Sequence, residues 1–513
     1  MNPRAKKSIC LLLVAVLLFA SGLLQRSLNR DRYNLGLTIS APLQDAPPVL
    51  ALTTQALGGF RGLISNFLWI RSNDLQINDQ YFEAAQLANW ITDLEPHYAQ
   101  VWVYEGWNMA YNISVKFKDF PDRWRWVENG IELLRDRGLK YNPDSVLIYQ
   151  HLGWFFQHKM GQNLDDANVY YKTEWAKEMT PFFGPNGTNF DALLHPKTPQ
   201  DHANLFILTN KYKIDPVFAE KLNEEWGPLD WRLPEAHAIY WASLGLEQAK
   251  LHPNKVAPND LIMLRRIIYQ SMMQTFDHGV IMDNPFTKNV EMGPNIPLIP
   301  KVNAAYESEM AQEPNSNISV GHRNFLCDAT YYLYEQNDIA DAQKWFNYIK
   351  EKYPNKTMLD KDPHSFPANL TLDEFAVARV QEDVGDTSHD ATVAAVEGLL
   401  AHSYLALALG EDDRYVGFRN LAQKVYDTYQ GKLLNYGNDR ERTGLAPFSD
   451  YNKFVLDHLL DPAGPLPYDA RAIIRSQLGM PSEAQSRAMG ASTNSIPAAS
   501  SSTNAPATNS IPR

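Results

Sequence analysis

The chain has 513 residues, of which 44% are hydrophobic and 21% are charged, so it is long enough to bury a sizeable core. Its formal net charge is -12, and without residues 1–32 the body carries 41 basic and 58 acidic side chains, a net charge of -17. A body this acidic repels phosphate backbones, which excludes nucleic acid as an expected partner. Cys10 and Cys327 are the two cysteines of the sequence, so neither a disulfide in the body nor a cysteine-based metal site is predicted.

The N-terminus predicts export. Basic residues precede an uncharged run at 9–24, ICLLLVAVLLFASGLL, which is slightly shorter than the roughly 20 residues of a comfortable membrane span. Two leucines and an arginine follow the small residues Ala20, Ser21 and Gly22, which favours an uncleaved anchor over a cleaved signal peptide. The basic residues before the run favour a cytoplasmic N-terminus, with the body on the periplasmic or exterior side.

The sequence divides into four segments by composition. Residues 1–32 form the signal anchor or signal peptide, and the proline-bearing residues 33–57 form a spacer. Residues 58–480 carry helical patterns interrupted by loops rich in Pro, Gly or Asn. Residues 481–513 are dominated by Ser, Thr, Asn, Ala and Pro, which predicts a disordered tail, with a short recognition peptide as the alternative.

The first helical pattern begins at residue 58. Its apolar residues recur mostly at steps of three and four, which predicts one apolar stripe on a helix: Phe60, Leu63, Ile64, Phe67, Leu68 and Leu75. The next segment, YFEAAQLANWITDLEP, places Ala84, Ile91 and Pro96 as a small, a large and a helix-ending residue. Together the two segments predict a first packed helical hairpin.

Similar patterns continue along the chain. A second hairpin runs from 98 to 143, and a third begins with Tyr149, Leu152, Gly153 and Phe156, where the small Gly153 lets a neighbouring helix approach closely. Further matches are Trp241, Leu244 and Gly245, then Ala342, Phe346 and Pro354 in a hairpin over 323–354, and a weaker hairpin over 396–429.

These spacings resemble tetratricopeptide repeats over about half of the chain, with intervals longer than the roughly 34-residue period. The phrases FRGLISNFLWIRSNDLQ, QVWVYEGWNMAYNISV and DWRLPEAHAIYWA are in addition similar to a group of bacterial membrane-associated repeat proteins. The resemblance implies an all-α fold, a tetratricopeptide-like solenoid of helical hairpins with an N-terminal hydrophobic helix. Such scaffolds usually bind partners. The resemblance implies no particular chemistry.

The repeat pattern also implies which residues line a concave groove. Carried over position by position, it gives Gln100, Val103, Trp107, Ala110 and Tyr111 in the second hairpin, Leu147, Gln150, Trp154, Gln157 and His158 in the third, and Asn324, Cys327, Tyr331, Tyr334 and Glu335 in the hairpin over 323–354. The candidate binding residues are Gln100, Trp107, Tyr111, Gln150, Trp154, His158, Tyr331 and Tyr334. Their rings and amides suit an extended peptide. The alternative is that Trp107, Trp154 and Tyr331 seal contacts between hairpins.

Tryptophans are dense in the first third of the chain, which predicts a core there. Trp124 and Trp126 are two residues apart, so on one helix they point about 200 degrees apart. One of them is therefore expected to be exposed or to be covered by another element.

Catalysis has weak support in the sequence. Phosphate loops, serine elbows and HExxH helices are missing from it, and His195 and His202 lie near Asp191 and Asp201 in a proline-rich loop that predicts no metal geometry.

The alternative function is a carbohydrate-active helical toroid, with Asp230, Glu235 and Asp277 as candidate acids. The favoured hypothesis is a scaffold without catalytic residue, cofactor or metal. It is anchored in the bacterial inner membrane through 9–24 and binds other envelope proteins or peptides.

Overall fold

The fold is known from a computed structural model, which describes residues 60–282, 284–286, 291–312, 316–384, 388–433 and 444–485, with scattered positions between 13 and 31. The predictions for the spacer at 33–57, for much of the run at 9–24 and for most of the tail lie outside these residues. The described part of the chain is largely helical, which confirms the all-α prediction.

The chain forms two compact units. Unit 1 comprises Met1–Trp175, Thr209–Lys213 and His237–Ile268, and unit 2 comprises Ala176–Leu208, Ile214–Ala236 and Tyr269–Arg513. The helices up to residue 183 are α1 (Phe60–Ile77), α2 (Tyr81–Leu94), α3 (Ala99–Trp107), α4 (Phe120–Glu132), α5 (Leu139–Tyr141), α6 (Val146–Trp154) and α7 (Asn168–Phe183).

Thirteen further α-helices follow in the described residues. They are α8 (Asp191–Leu194), α9 (Pro199–Asn210), α10 (Pro216–Trp226), α11 (Pro234–Leu251), α12 (Pro258–His278), α13 (Ile299–Gln312), α14 (Ser316–Glu335), α15 (Ile339–Lys352), α16 (Leu372–Val384), α17 (His389–Leu409), α18 (Asp412–Leu433), α19 (Phe448–Leu460) and α20 (Tyr468–Gln477).

Three helices of unit 1 change from α to π winding at their C-terminal ends. The π segments are π1 (Asn108–Ile113) after α3, π2 (Leu133–Gly138) after α4 and π3 (Phe155–Gly161) after α6. A π turn closes its hydrogen bonds between residues five apart, so it holds about one more residue than an α turn and rotates the side chains that follow. Such segments are often found at functional sites.

A small β-hairpin in unit 2 departs from the all-α expectation. Strand β1 (Val280–Met282) pairs antiparallel with β2 (Glu291–Gly293). A Cβ at Gly293 would stand 2.4 Å from the Met282 sulfur, so a larger residue here would require the flexible Met282 side chain to move.

Several helix pairs that the sequence predicts do pack together. α1 packs on α2, α14 on α15, and α17 on α18. The small residues Ala84 and Ala342 and the large residue Phe346 are fully buried, as the small, large, proline pattern predicts. The hairpins over 58–96, 323–354 and 396–429 are therefore confirmed as packed helix pairs.

Small residues allow close helix packing in unit 1. A Cβ at Gly153 would stand 3.2 Å from the Ala238 carbonyl oxygen, and one at Gly245 would stand 2.8 Å from Leu264 Cδ2. The expectation for Gly153 is thus confirmed.

The two neighbouring tryptophans on α4 divide as expected. Trp124 is buried, and Trp126 is half-buried with its ring against Phe82 and Phe117.

The first helix is confirmed, but its apolar stripe does not face the hairpin. Leu75 is buried, whereas Leu63, Ile64 and Phe67 are exposed. The expected packing of this stripe is therefore wrong for these three residues.

In the described part of the chain, α17 is the helix that is long and apolar enough to cross a membrane. Of its most apolar window, 56% is buried inside the protein. Core helices of soluble proteins have the same composition, so this helix is weak evidence for a membrane span.

Candidate functional site

Unit 1 contains a cavity of about 460 Å³ that we call the Tyr111 pocket. Its lining combines aromatic, charged and aliphatic side chains: Tyr111, Val115, Arg123, His158, Lys159, Leu164, Asp165 and Asp166. This volume lies within the range of pockets that hold small ligands or side chains of a partner.

Two of the π segments supply the central residues of the pocket. Tyr111 lies in π1, and His158 and Lys159 lie in π3. Trp107 ends α3 directly before π1, and Trp154 ends α6 directly before π3. Each helix thus carries an exposed or half-buried tryptophan at the point where its winding changes.

Four rings form a continuous series that we call the aromatic ladder: Trp107, Tyr111, His158 and Trp154. Trp107 stacks on Tyr111 with centroids 5.6 Å apart, and Trp154 stacks on His158 with centroids 4.4 Å apart. The Tyr111 and His158 rings join the two stacks at 5.8 Å. Trp107 is 37% exposed, so the ladder reaches the surface of unit 1.

Burial keeps both central rings of the ladder neutral. It raises the pKa of Tyr111 far above its ordinary value, and it lowers the pKa of His158, with the charge of Lys159 acting in the same direction. The Tyr111 hydroxyl lies 3.1 Å from His158 Nδ1. In the tautomer with a proton on Nε2, Tyr111 donates to Nδ1 and Nε2–H is a donor; in the other tautomer, Nδ1–H donates to the Tyr111 oxygen and Nε2 is an acceptor.

Asp165 holds the charged side of the pocket together. Its carboxylate accepts from Lys159 Nζ at 2.5 Å, from Arg123 Nη1 at 3.1 Å, from the Tyr171 hydroxyl at 3.2 Å and from the Ala167 backbone N–H at 2.9 Å. Burial alone would raise the pKa of Asp165, but the bonds from Lys159 and Ala167 lower it to about 2. Asp165 is therefore ionised at neutral pH.

The charges around the pocket balance. Arg123 also pairs with the exposed Asp166, so two cations face two carboxylates. The Lys159 side chain is buried and its ammonium stands 5.2 Å from the Tyr111 ring centre. Because these charges are paired, the pocket carries little net charge, and its rings and hydrogen-bonding groups are the features it presents.

The predicted binding residues have different surroundings. Trp107, Tyr111, Trp154 and His158 come together in the ladder. Gln100 is exposed on α3 and Gln150 is half-buried on α6, and neither lines the pocket.

Tyr331 and Tyr334 belong to unit 2 and are buried on α14. The Tyr334 hydroxyl donates to Asp373 Oδ1 at 2.7 Å, and the Lys424 ammonium stands 5.3 Å from its ring. The burial of this pair favours a packing role.

Sequence reasoning missed the charged half of the pocket. Arg123 lies on α4, 42 residues before Asp165, so no local pattern joins them. A weak signal was present in Lys159 beside His158, followed by the acidic pair Asp165 and Asp166 in a loop.

The three acids of the alternative hypothesis lie in unit 2. Asp230 forms a buried ion pair with Arg232 at 2.5 Å, and Glu235 is buried with Oε1 at 3.3 Å from His278 Nε2. Burial and the charge of Asp328 raise the pKa of Asp277 to about 7.

None of these three acids lines the Tyr111 pocket or a second cavity, of about 470 Å³, in unit 2. Side chains from the β-hairpin, α17 and α18 contribute to that second cavity, among them Met282, His402 and Phe418. Among the described residues, no group of three or more His, Cys, Asp or Glu is placed to hold a metal ion.

One buried carboxyl group of unit 1 stands apart from the pocket. Glu105 on α3 is fully buried, and neither of its oxygens has a hydrogen-bond partner among the residues that the structure describes. Burial raises the pKa of Glu105 to about 8, against the opposing charge of Arg137. This group is therefore mostly protonated at neutral pH.

The fold defines a largely helical protein of many packed helices. No model of a known protein family matches the chain, and no curated protein matches it significantly.

Proposed function

We propose that this chain is a membrane-anchored, extracytoplasmic helical scaffold that binds an extended segment of a partner protein at the Tyr111 pocket. The anchor is the apolar run at 9–24, and the helix pairs belong to a tetratricopeptide-like solenoid. The partner is another protein or peptide of the bacterial cell envelope. No cofactor or metal takes part.

The observation that carries this proposal is the aromatic ladder. Its rings are already stacked on one another, so little side-chain freedom is lost when a ligand joins the stack. Stacked aromatic rings beside hydrogen-bonding groups are typical of surfaces that bind extended peptides. Trp107 lies at the surface end of the ladder, where a partner can reach it.

The electrostatics support a neutral or weakly polar ligand segment. Lys159, Arg123 and Tyr171 all donate to Asp165, which holds the pocket wall in one arrangement. Next to this wall, His158 Nε2 is a hydrogen-bond donor or acceptor according to the tautomer. A side chain that stacks on the ladder and forms a hydrogen bond with Nε2 fits both features.

Photo-cross-linking in intact cells tests this proposal. A benzophenone amino acid replaces Leu164, which is exposed and lines the pocket, and the matched control carries it at Leu251, which is exposed in the same unit and does not line the pocket. We expect a discrete cross-linked protein from position 164 and none from position 251.

The variant that completes this test is Trp107→Ala with Trp154→Ala. Removal of both outer rings is expected to abolish the cross-link from position 164, while far-UV circular dichroism stays unchanged. Equal cross-linking from positions 164 and 251, or cross-linking that survives in the folded double variant, would overturn the proposal.

The carbohydrate-active toroid has less support. That reaction needs two carboxyl groups facing one cavity at a defined separation. Asp230 is neutralised by Arg232, and none of Asp230, Glu235 and Asp277 lines either of the two cavities described above.

A further inference from the structure

Helix α1 exposes most of its apolar stripe and buries two serines together with Leu75. On its buried side lie Ser65 and Ser72, whose exposed fractions are 8% and 1%. On the opposite side lie Leu63, Phe67 and Ile70, which are 65%, 68% and 64% exposed, and Ile77 continues the same stripe at 73%. A helix of a water-soluble protein normally turns its apolar stripe toward the core.

The contacts on the buried side fix this orientation. The Ser72 hydroxyl donates to the Ala84 carbonyl oxygen at 3.3 Å, and α2 presents the fully buried small residues Ala84 and Ala88. The Tyr104 hydroxyl donates to Gln76 Oε1 at 2.7 Å.

Small residues on both helices permit a close approach of their backbones. Rotation of α1 to bury Phe67 would place a large ring against alanines and break these hydrogen bonds. The outward direction of the stripe is therefore set by specific packing on the other side of the helix.

A contiguous exposed apolar stripe marks a surface that another apolar phase covers. The position of α1 in the chain indicates which phase that is. Only 35 residues separate Leu24, at the end of the apolar run, from Phe60 at the start of α1. Fully extended they span at most about 120 Å, which limits how far α1 can lie from the bilayer that holds the run.

The polar residues of α1 indicate how deeply the helix can enter the bilayer. Arg71 and Asp74 are exposed on or beside the stripe, so the helix is suited to lie in the headgroup region and not to cross the bilayer. The net charge of -17 on the body disfavours attraction to anionic lipids. Binding therefore depends on the apolar side chains.

We propose that α1 lies flat on the bilayer in which residues 9–24 are anchored, with Leu63, Phe67 and Ile70 inserted at the boundary between headgroups and acyl chains. This inference rests on the anchor of the proposed function. It adds a second membrane contact, which fixes the orientation of unit 1 toward the lipid surface.

A fluorescent label at position 67 tests this contact. The full chain, with Cys10→Ser and Cys327→Ala, carries an environment-sensitive dye on Phe67→Cys and is reconstituted into phosphatidylcholine vesicles. The matched control carries the dye on Leu251→Cys, which is equally exposed. Lipids spin-labelled in the upper acyl chain are expected to quench most of the emission at position 67 and little at position 251.

The lipid composition distinguishes apolar insertion from charge attraction. Quenching at position 67 is expected to be the same in vesicles of phosphatidylcholine alone and in vesicles that also contain phosphatidylglycerol. A contact that appears only with the anionic lipid would contradict the proposed mechanism.

A further variant separates this inference from the proposed function. Leu63→Ser with Phe67→Ser and Ile70→Ser, carrying the dye on Ile77→Cys, is expected to stay bound to vesicles through residues 9–24 and to lose the quenching at position 77. Its cross-link from position 164 is expected to persist.

The possible failures are distinct. If the chain stays on vesicles but the dye at position 67 remains in water, or is protected by a second copy without lipid quenching, the α1 contact is disproved and the anchor stands. If the whole chain washes off the vesicles, the anchor itself fails.

Discussion

The helices of residues 99–161 differ from α14 in how their aromatic side chains are placed. The sequence assigns Trp107, Tyr111, Trp154 and His158 on one side, and Tyr331 and Tyr334 on the other, to the same repeat surface. In unit 1 the α-helices give way to π segments directly after the two tryptophans, and the rings form a ladder beside a cavity. In unit 2 α14 is α-helical throughout, and both tyrosines are buried.

The difference shows that residue type and predicted repeat position do not decide whether a ring is buried. A π segment rotates the side chains that follow it, because each turn holds an additional residue. In unit 1 the π segments lie beside an open pocket. In unit 2 both tyrosines are buried on a regular α-helix. Four predictions test this comparison, in order of decreasing expected effect.

The largest effect is expected at Asp165. Asp165→Ala leaves the buried Lys159 ammonium without its carboxylate, so we expect a loss of about 3–5 kcal/mol in the free energy of unfolding, measured with urea. The matched control is Asp166→Ala, which removes an exposed partner of Arg123 and is expected to cost less than about 1 kcal/mol. Equal losses in the two variants would show that the pocket does not depend on Asp165.

The next effect is a pH dependence from Glu105. Its pKa is about 8 in the folded protein against an ordinary value of 4.5, so the folded state binds more protons than the unfolded state between these values. Stability therefore falls as pH rises from 4.5 through 8, by at most about 1.4 kcal/mol for each pH unit.

Glu105→Gln is expected to flatten this profile and to raise the free energy of unfolding at alkaline pH by about 2–4 kcal/mol. The exposed Glu83→Gln serves as the control and is expected to leave the profile unchanged. Thermal denaturation across the pH range measures both. A profile that stays the same in Glu105→Gln would exclude Glu105 as its source.

Two glycines, one in close contact in unit 1 and one without close contacts in unit 2, are expected to respond in opposite ways to alanine. Gly153→Ala on α6 brings a Cβ within 3.2 Å of the Ala238 carbonyl oxygen, and we expect a loss of about 1–2 kcal/mol. Gly398→Ala on α17 meets no atom within 4 Å and is expected to gain up to about 1 kcal/mol, because alanine loses less backbone entropy in a helix. Urea titration of both variants checks the opposite signs, and a gain at Gly153 would contradict the close approach.

The smallest effects separate the two tyrosines. Tyr111→Phe removes the hydrogen bond to His158, and Tyr334→Phe removes the one to Asp373, so each is expected to lose about 1 kcal/mol of stability. Only Tyr111→Phe is expected to reduce the cross-link from position 164. An equal reduction in Tyr334→Phe would erase the proposed distinction between binding and packing rings.

A good part of the fold follows from local patterns. The steps of three and four residues in α1, and Ala84 and Ile91 in α2, identify helices because helical side chains recur with that period. The small residues Gly153 and Ala342 identify close contacts, since a small side chain allows backbones to approach. Trp124 and Trp126 are two residues apart on one helix, so they face different directions. One ring is buried and the other is half-buried, as this spacing predicts.

Only the aromatic residues of the candidate site could be predicted from the sequence. The ladder residues follow from a repeat pattern, but Arg123 and Asp165 lie 42 residues apart and meet because α4 packs near the loop after π3. The π winding could not be predicted from the three- and four-residue spacing, which is the same on both sides of the change in winding. For the same reason the burial of Tyr331 and Tyr334 could not be read from their positions in the repeat.

The sequence by itself determined the helical class, several of the helix pairs, some of the small residues at their contacts, and that the body is acidic. The tertiary structure decided which face of each helix meets a neighbour, as α1 shows by burying Ser72 and exposing Phe67. Periodicity is a property of a few consecutive residues and records that a helix has two faces. Burial depends on a partner that is distant in the chain, so only packing can assign those faces.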